Sequence, residues 1–164
     1  MPSVRVHKFT NSGIYYLTLI VIRWYYLFDR HNRWQILLDS LKYCQQHKQL
    51  KIYAWVFMLN HIHLLIESPD TTGFLRDFKS FTTNQIIKNI IATEPNVLKI
   101  FEVNGKPRIW QSTNMPKLVE TRKFFEQKDT YIEYNPVNKG YVRKPQHWVW
   151  SSANPEKLLP LANL

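Results

Sequence analysis

Residues 51–67 leave this chain few ways to fold. Lys51-Ile52-Tyr53-Ala54-Trp55-Val56-Phe57-Met58 has strand composition, and Leu59-Asn60 looks like a tight turn. His61-Ile62-His63-Leu64-Leu65-Ile66-Glu67 reads as the return strand of a hairpin. Successive strand residues point to opposite faces, so His61, His63 and Leu65 share one face and Ile62, Leu64 and Ile66 the other. The apolar set would anchor the strand in a core. Two imidazoles side by side can chelate one divalent metal. One His at a rim and one hydrogen-bonded in a polar pocket would give the same pattern.

The flanking segments supply partners for this hairpin. Residues 14–26 follow Gly13, are rich in Tyr, Ile, Leu, Val and Thr, and predict a strand. Trp34, Leu37, Leu38, Leu41 and Cys44 recur at helical spacing and predict an amphipathic helix over 33–48. A second helix is expected from Gly73 to about Ile91, with Phe74, Phe78, Phe81 and Gln85-Ile86 along one side. Residues 93–116 carry Pro95, Gly105, Pro107 and Pro116 and read as a loop region with at most short elements. A third helix is expected over about 117–134, ending near Asn135 because Pro136 disfavours helical geometry in the residue before it. Asn138-Lys139-Gly140 is a turn, and His147-Trp148-Val149-Trp150 is expected to pack back on the domain. Strands separated by helices, with one clear hairpin, indicate an α+β sandwich.

Length and composition narrow the function classes. A chain of 164 residues without repeats or linkers reads as one domain, 1–164, able to bury its own core. A hydrophobic fraction of 45% excludes disorder, and Gly 4 with Pro 9 excludes collagen-like chains. The lone Cys44 cannot form an internal disulfide, so nothing points to a secreted scaffold. The apolar run over 14–22 is about nine residues, against roughly 20 for a membrane span. It leads into Arg23-Trp24-Tyr25-Tyr26 rather than a small-residue cleavage site, so a cytoplasmic protein with no membrane partner is expected. The net charge of +10 divides into +6 over residues 1–60 and +4 over 61–164, and suggests a polyanionic partner. Six Trp, nine Tyr and nine Phe beside that charge suit single-stranded nucleic acid, where rings stack on unpaired bases and Lys and Arg track phosphates. An ordinary basic protein with an aromatic core has the same composition.

A second group of candidates lies in Asp129-Thr130-Tyr131-Ile132-Glu133-Tyr134-Asn135-Pro136-Val137. Tyr131 and Asn135 are four apart and share a helical face. Asn135 could complete a metal site as an oxygen ligand, with the Tyr131 phenol beside the metal. A phenol with pKa near 10 is a poor nucleophile at neutral pH. A nearby metal helps by polarising the target phosphate. The alternative for Tyr131 is an amphipathic helix residue with its hydroxyl at the surface.

Together the two segments resemble the HUH single-tyrosine transposases, in particular their REP-associated branch. The stretch Ala54 to Ile66 is similar to that family's signature hairpin, in which a Met-Pro-Asn turn returns as His-hydrophobic-His. Tyr131-Ile132-Glu133-Tyr134-Asn135-Pro136-Val137-Asn138-Lys139-Gly140 resembles its second signature, a Tyr-Ile segment running into Asn-Pro-Val and a Gly. Trp110-Gln111, Trp148-Val149-Trp150-Ser151-Ser152 and the basic segment Phe78-Lys79-Ser80-Phe81-Thr82 also have counterparts, in the same order, over about 14–152. The resemblance implies a ferredoxin-like α+β sandwich with the His pair on a central strand of an antiparallel sheet. It implies Mg²⁺ or Mn²⁺ on His61 and His63 with Asn135 as third ligand, and Tyr131 as nucleophile. Tyr134 fits the offset from Asn-Pro-Val less well. The reaction implied is transesterification on single-stranded or hairpin-bearing DNA, giving a 5′-phosphotyrosine and a free 3′-OH that a second 3′-OH can reverse. Arg76, Lys79 and Lys88, with Arg5, Lys8, Arg23, Arg30 and Arg33, are the phosphate-contact candidates, each equally readable as a solvated charge. The protein would be a monomer or homodimer, nucleoid-associated when bound to DNA.

The chain departs from the family pattern at two places. Leu59 replaces the usual turn Pro, which changes stiffness and not ligation. Pro116-Lys117 stands where related members often carry an acidic residue and a His, and Lys117 would be a DNA contact instead. The rival readings are a catalytically silent DNA-hairpin-binding module of the same fold, a metal-dependent hydrolase of small phosphoesters, and an RNA-binding ferredoxin-like domain. Only the last predicts preference through 2′-OH contacts.

Overall fold

The computed structural model describes residues 5–164. Its centre is a four-stranded antiparallel sheet in the order β2-β3-β1-β6, formed by β1 (Ile14–Ile20), β2 (Lys51–Phe57), β3 (His61–Glu67) and β6 (Lys117–Leu118). The hairpin β2–β3 forms as expected, and β1 pairs with the other side of β3 from Ile14↔Glu67 to Ile20↔His61. The His-bearing strand is therefore bonded on both edges. A bulge at Tyr53 shifts the register between Ile52 and Ala54, so these two residues pack in different cores although they lie two apart.

The two sheet faces have different cover. Leu17, Leu19, Ile62, Leu64, Ile66, Trp55 and Phe57 face α1 (Arg33–His47) and α2 (Thr71–Thr93) in the larger core. Tyr16, Ala54, Val56, Leu65 and Ile132 form a smaller core under α3 (Arg122–Asn138). The buried row of α2 is Phe74, Phe78, Thr82, Ile86 and Ile90, while Phe81 is exposed, contrary to the sequence expectation. The row follows four-residue steps, and Thr82 fits it because its hydroxyl donates to Phe78 O and accepts from Trp110 Nε1.

Three boundaries differ from expectation. β1 stops at Ile20, because Ile22–Trp24 makes a tight turn with Arg23 and Trp24 at φ of 58° and 54°. Residues 117–118 form the edge strand β6, and α3 begins after Thr121, whose hydroxyl accepts from Phe124 N. The helix also runs through Pro136 to Asn138. Pro136 removes one intrahelical bond in the last turn only, and it is buried together with Ile132 and Asn135. Within 93–116 there are only short pieces, among them the ladder β4 (Glu102–Val103) with β5 (Lys106–Pro107). Its turn places Asn104 and Gly105 at positive φ, as a two-residue hairpin loop requires.

The tail does return to the domain. Phe57 N donates to Trp150 O, Ser152 N to Trp55 O and Ala162 N to Ile52 O, so residues 150–162 run along the outer edge of β2. Trp148 and Trp150 both pack on Trp34. No helix among the described residues is long and apolar enough to cross a membrane.

Arg33, expected as a phosphate contact, is fully buried instead. Its guanidinium bonds Asn89 Oδ1 and Leu27 O and lies 2.7 Å from Glu94, which also takes Arg30 at 2.9 Å. Burial raises the Glu94 carboxyl, but the bonds from Arg33 and Arg30 outweigh it and hold the group below its ordinary value. A carboxyl lowered on folding stabilises above its unfolded pKa and loses that contribution as pH falls through the folded value. Glu94→Gln should thus cost about 3 kcal/mol in urea denaturation near neutral pH, because Arg33 is left buried and uncompensated. The variant should also lose that part of the acid destabilisation seen below about pH 4.5 in the parent.

Candidate active site

Strand alternation puts His61 and His63 on the α3 side of β3, where the helix leaves part of the sheet uncovered. Tyr16 and Thr18 flank them from β1, Thr18 being directly opposite His63. Across the opening, α3 brings Lys128, Tyr131, Asn135 and Lys139, and β6 brings Lys117. These side chains, with Trp24 and Met115, enclose a cavity of about 440 Å³. Its lining holds three lysines and no carboxylate.

The imidazoles are held through Nδ1. Asn60 Nδ2 donates to Trp24 O at 3.1 Å, which turns Asn60 Oδ1 toward His61 Nδ1 at 2.7 Å. That oxygen only accepts, so His61 Nδ1 carries the proton and Nε2 keeps its lone pair. His63 Nδ1 lies 2.9 Å from Tyr16 Oη and 3.0 Å from Thr18 Oγ1, so its Nδ1 is also engaged. The two rings are 4.9 Å apart. His61 is lowered to about 4, by burial first and then by the charge of Lys139, with Asn135 opposing. His63 is lowered to about 3 by burial, with His61, Lys128 and Lys139 adding to it. Both are neutral at pH 7, the state that ligates metal.

Asn135 is buried, and its Oδ1 has no hydrogen-bond partner. The side chain is close enough to His61 to act on it, yet the oxygen makes no well-formed bond. A buried amide oxygen without a partner is costly, and here it adjoins two neutral imidazoles. That donor set fits a hard or borderline divalent cation. Among the described residues no group of three or more His, Cys, Asp or Glu could hold a metal, at this site or any other, so a cation here would need the Asn135 oxygen.

Tyr131 is 44% exposed, with its ring edge-on to His63 at 5.5 Å and to Tyr16 at 6.2 Å. Lys128 Nζ lies over Tyr16 at 4.6 Å and over Tyr131 at 5.4 Å. Burial, and then Lys117, hold Lys128 below its ordinary value. Burial pushes Tyr16 up to about 12, against the Thr18 bond and with Tyr131 adding, so it is a fixed neutral hydroxyl. Tyr134 does not line the cavity.

The expected phosphate contacts scatter. Lys117 lines the cavity and Arg23 is exposed beside it. Arg76 and Arg5 line a separate groove of about 560 Å³ between α2 and residues 112–116. Lys79 lies there too, but its ammonium bonds Gln111 O at 2.9 Å and Asn114 Oδ1 at 3.0 Å, bracing that segment. Burial and then Arg108 lower it to about 8. Lys88 is exposed on α2, and Lys8 lies over the ring of Phe9. Arg30 and Arg33 are spent on Glu94.

Sequence reasoning overlooked Lys128, Lys139, Tyr16, Thr18 and Asn60. The helical signal was present: residues 128, 131, 135 and 139 follow steps of three and four. Ending the helix before Pro136 hides Lys139, whereas Lys128 lies inside the expected helix, where its charge alone does not single it out. Tyr16 and Thr18 depend on the β1–β3 register, which no local pattern displays.

The paired imidazoles on a central antiparallel strand face a helical tyrosine, so a phenol and two neutral nitrogen donors share one cavity. The comparisons point to one group of proteins with this fold. No family model matches the chain. A Haemophilus influenzae protein, provisionally named a REP-associated tyrosine transposase, is 28% identical over 150 residues, covering 88% of this chain and 81% of its own. A solved REP-associated tyrosine transposase bound to a REP hairpin shares the fold, with TM-score 0.71 at 20% identity over 93% of this chain and 82% of that one. A crystal structure from Deinococcus radiodurans, provisionally described as a transposase, gives TM-score 0.51 at 16% identity over 79% and 95%. The chain thus resembles REP-associated tyrosine transposases in sequence and shares the fold of one of them.

The buried imidazoles should make the metal-free protein lose stability as pH falls from about 6.5 toward 4, because only the unfolded chain gains protons there. NMR titration should find His63 below His61, and Lys128→Met should move His63 upward without moving His61 as far.

Proposed function

We propose that this chain is a REP-associated tyrosine transposase: a metal-dependent enzyme that cuts and rejoins single-stranded or hairpin-bearing DNA. The observation that carries this is the placement of Tyr131 and the partnerless Asn135 oxygen, one helical turn apart, against two neutral imidazoles. His61, His63 and Asn135 would hold Mg²⁺ or Mn²⁺. Bound there, the cation would supply positive charge at the scissile phosphate.

Tyr131 Oη attacks the phosphorus of a backbone phosphodiester. A P–O bond to the phenol forms, the P–O3′ bond breaks, the phenolic proton leaves and the departing 3′ oxygen takes one up. The product is a 5′-phosphotyrosine and a free 3′-OH. Because the phosphotyrosine conserves the bond, another 3′-OH reverses the step without an external energy source. Lys117, Lys128 and Lys139 bring fixed positive charge to the phosphate, and the absence of carboxylates from the lining spares it repulsion. The hairpin held by the structural neighbour supports the same kind of substrate here.

A silent hairpin-binding module is the second reading, favoured by Lys117 in the cavity wall where related members often carry a His. A covalent-adduct assay separates the two. With Mn²⁺ and hairpin-bearing single-stranded DNA, the parent should give an SDS-resistant protein–DNA band. Tyr131→Phe and chelator should each abolish it, while Tyr131→Phe leaves affinity nearly unchanged. Asn135→Ala should weaken Mn²⁺ binding in electron paramagnetic resonance titrations by about tenfold or more. Binding by about five phosphates would give a slope of log K against log salt near −3.5, at roughly −0.7 per contact on single strands. Tight binding with no band from any form would establish the silent module.

A further inference from the structure

The turn after β1 is built in a way that fold and metal site do not require. Arg23 and Trp24 are consecutive residues other than glycine at positive φ, at 58° and 54°. Such backbone is costly and persists where surrounding bonds hold it. Here Trp24 N donates to Val21 O, Val21 N to Asn60 O, and Asn60 Nδ2 to Trp24 O. The result is to lift an indole out of the fold: Trp24 is 56% exposed, although its edge meets the His61 ring at 6.5 Å.

Trp24 forms the wall between two hollows. One is the cavity of His61, His63 and Tyr131. The other is an open trough lined by Arg23, Tyr26 and Asn60. Tyr26 is 54% exposed, and the Tyr141 hydroxyl reaches it from the end of α3, just past Lys139. Tyr141 is itself exposed and stacks on Trp148 at 5.6 Å. Among the described residues, no acidic side chain pairs with Arg23. Exposed rings with Arg23 and Lys139 beside them, starting at the face of His61 and leading outward, are the chemistry that holds unpaired bases and their phosphates.

We infer that Trp24, with Arg23, Tyr26 and Tyr141, forms a stacking track that takes the unpaired bases flanking the phosphate placed at Tyr131. This rests on the single-strand DNA reading above and adds to it where the strand leaves the cavity. Asn60 is the positioning residue of the arrangement. Its amide orients His61 through Oδ1 and holds the Trp24 turn through Nδ2. The metal ligand and the first stacking ring are thereby fixed relative to each other by one side chain.

The test is fluorescence anisotropy on the full chain, in chelator, with a labelled DNA hairpin carrying a mixed-sequence single-stranded flank. A matched probe has an abasic flank. The parent should bind the normal flank about tenfold more tightly than the abasic one, the size of one lost base stack. Trp24→Ala should lose most of that preference, the remainder being carried by Tyr26 and Tyr141. Trp24→Phe should keep most of the preference, which shows that the turn still folds. If Trp24→Ala keeps the full preference, or weakens both probes equally, the track is overturned while the DNA reading stands. If the parent binds neither probe, the DNA reading falls and the track with it.

Discussion

Everything in this molecule that bears on chemistry depends on β3 being paired along both edges in a single register. Its alternation sends Ile62, Leu64 and Ile66 into a dry core and His61 and His63 to the opposite face. A slip of one residue would bury both imidazoles among α1 and α2 and turn the aliphatic side chains toward the cavity. The apolar set is completely buried, so that alternative is heavily penalised. The site is therefore specified by the packing on the side of the sheet away from it. The hydroxyls of Tyr16 and Thr18 reach His63 only because β1 is held in the same register.

Much of this was legible in the sequence because the signals are local. The hairpin over 51–67, the helix over 33–48 and the shared face of His61 and His63 follow from periodicity and turn chemistry. Other features are not local. β6 is two residues long and exists only because β1 offers an edge beside it. The row through Thr82 reads as polar until Trp110 is seen to donate to it. Pro136 was a misleading signal, since in the last turn it forfeits only its own bond and the helix continues to Asn138. The charges were the least legible. Composition counts Arg33 and Lys117 alike, but one neutralises Glu94 inside the fold and the other lines the cavity.

The site has an unusual balance of charge for one that would hold a divalent ion. Its donors are neutral and its surroundings are cationic, from Lys117, Lys128 and Lys139. Burial first, and then repulsion from Lys128 and Lys139, keep the imidazoles unprotonated, which favours ligation. The same lysines oppose a bare cation. They are accommodated best when a phosphate arrives with it, so cation and polyanion should favour each other's binding.

The segment over 150–162 has a further consequence. It lies against the outer edge of β2 and occupies the backbone groups through which a sheet could grow. Two copies of the chain cannot join by extending the sheet on that side, and any association there must use side-chain surfaces. Because these residues are made after the hairpin and the helices, the nascent domain has its imidazoles in place while one sheet edge is still open. Completion of the tail closes the interval in which β2 can recruit a foreign strand.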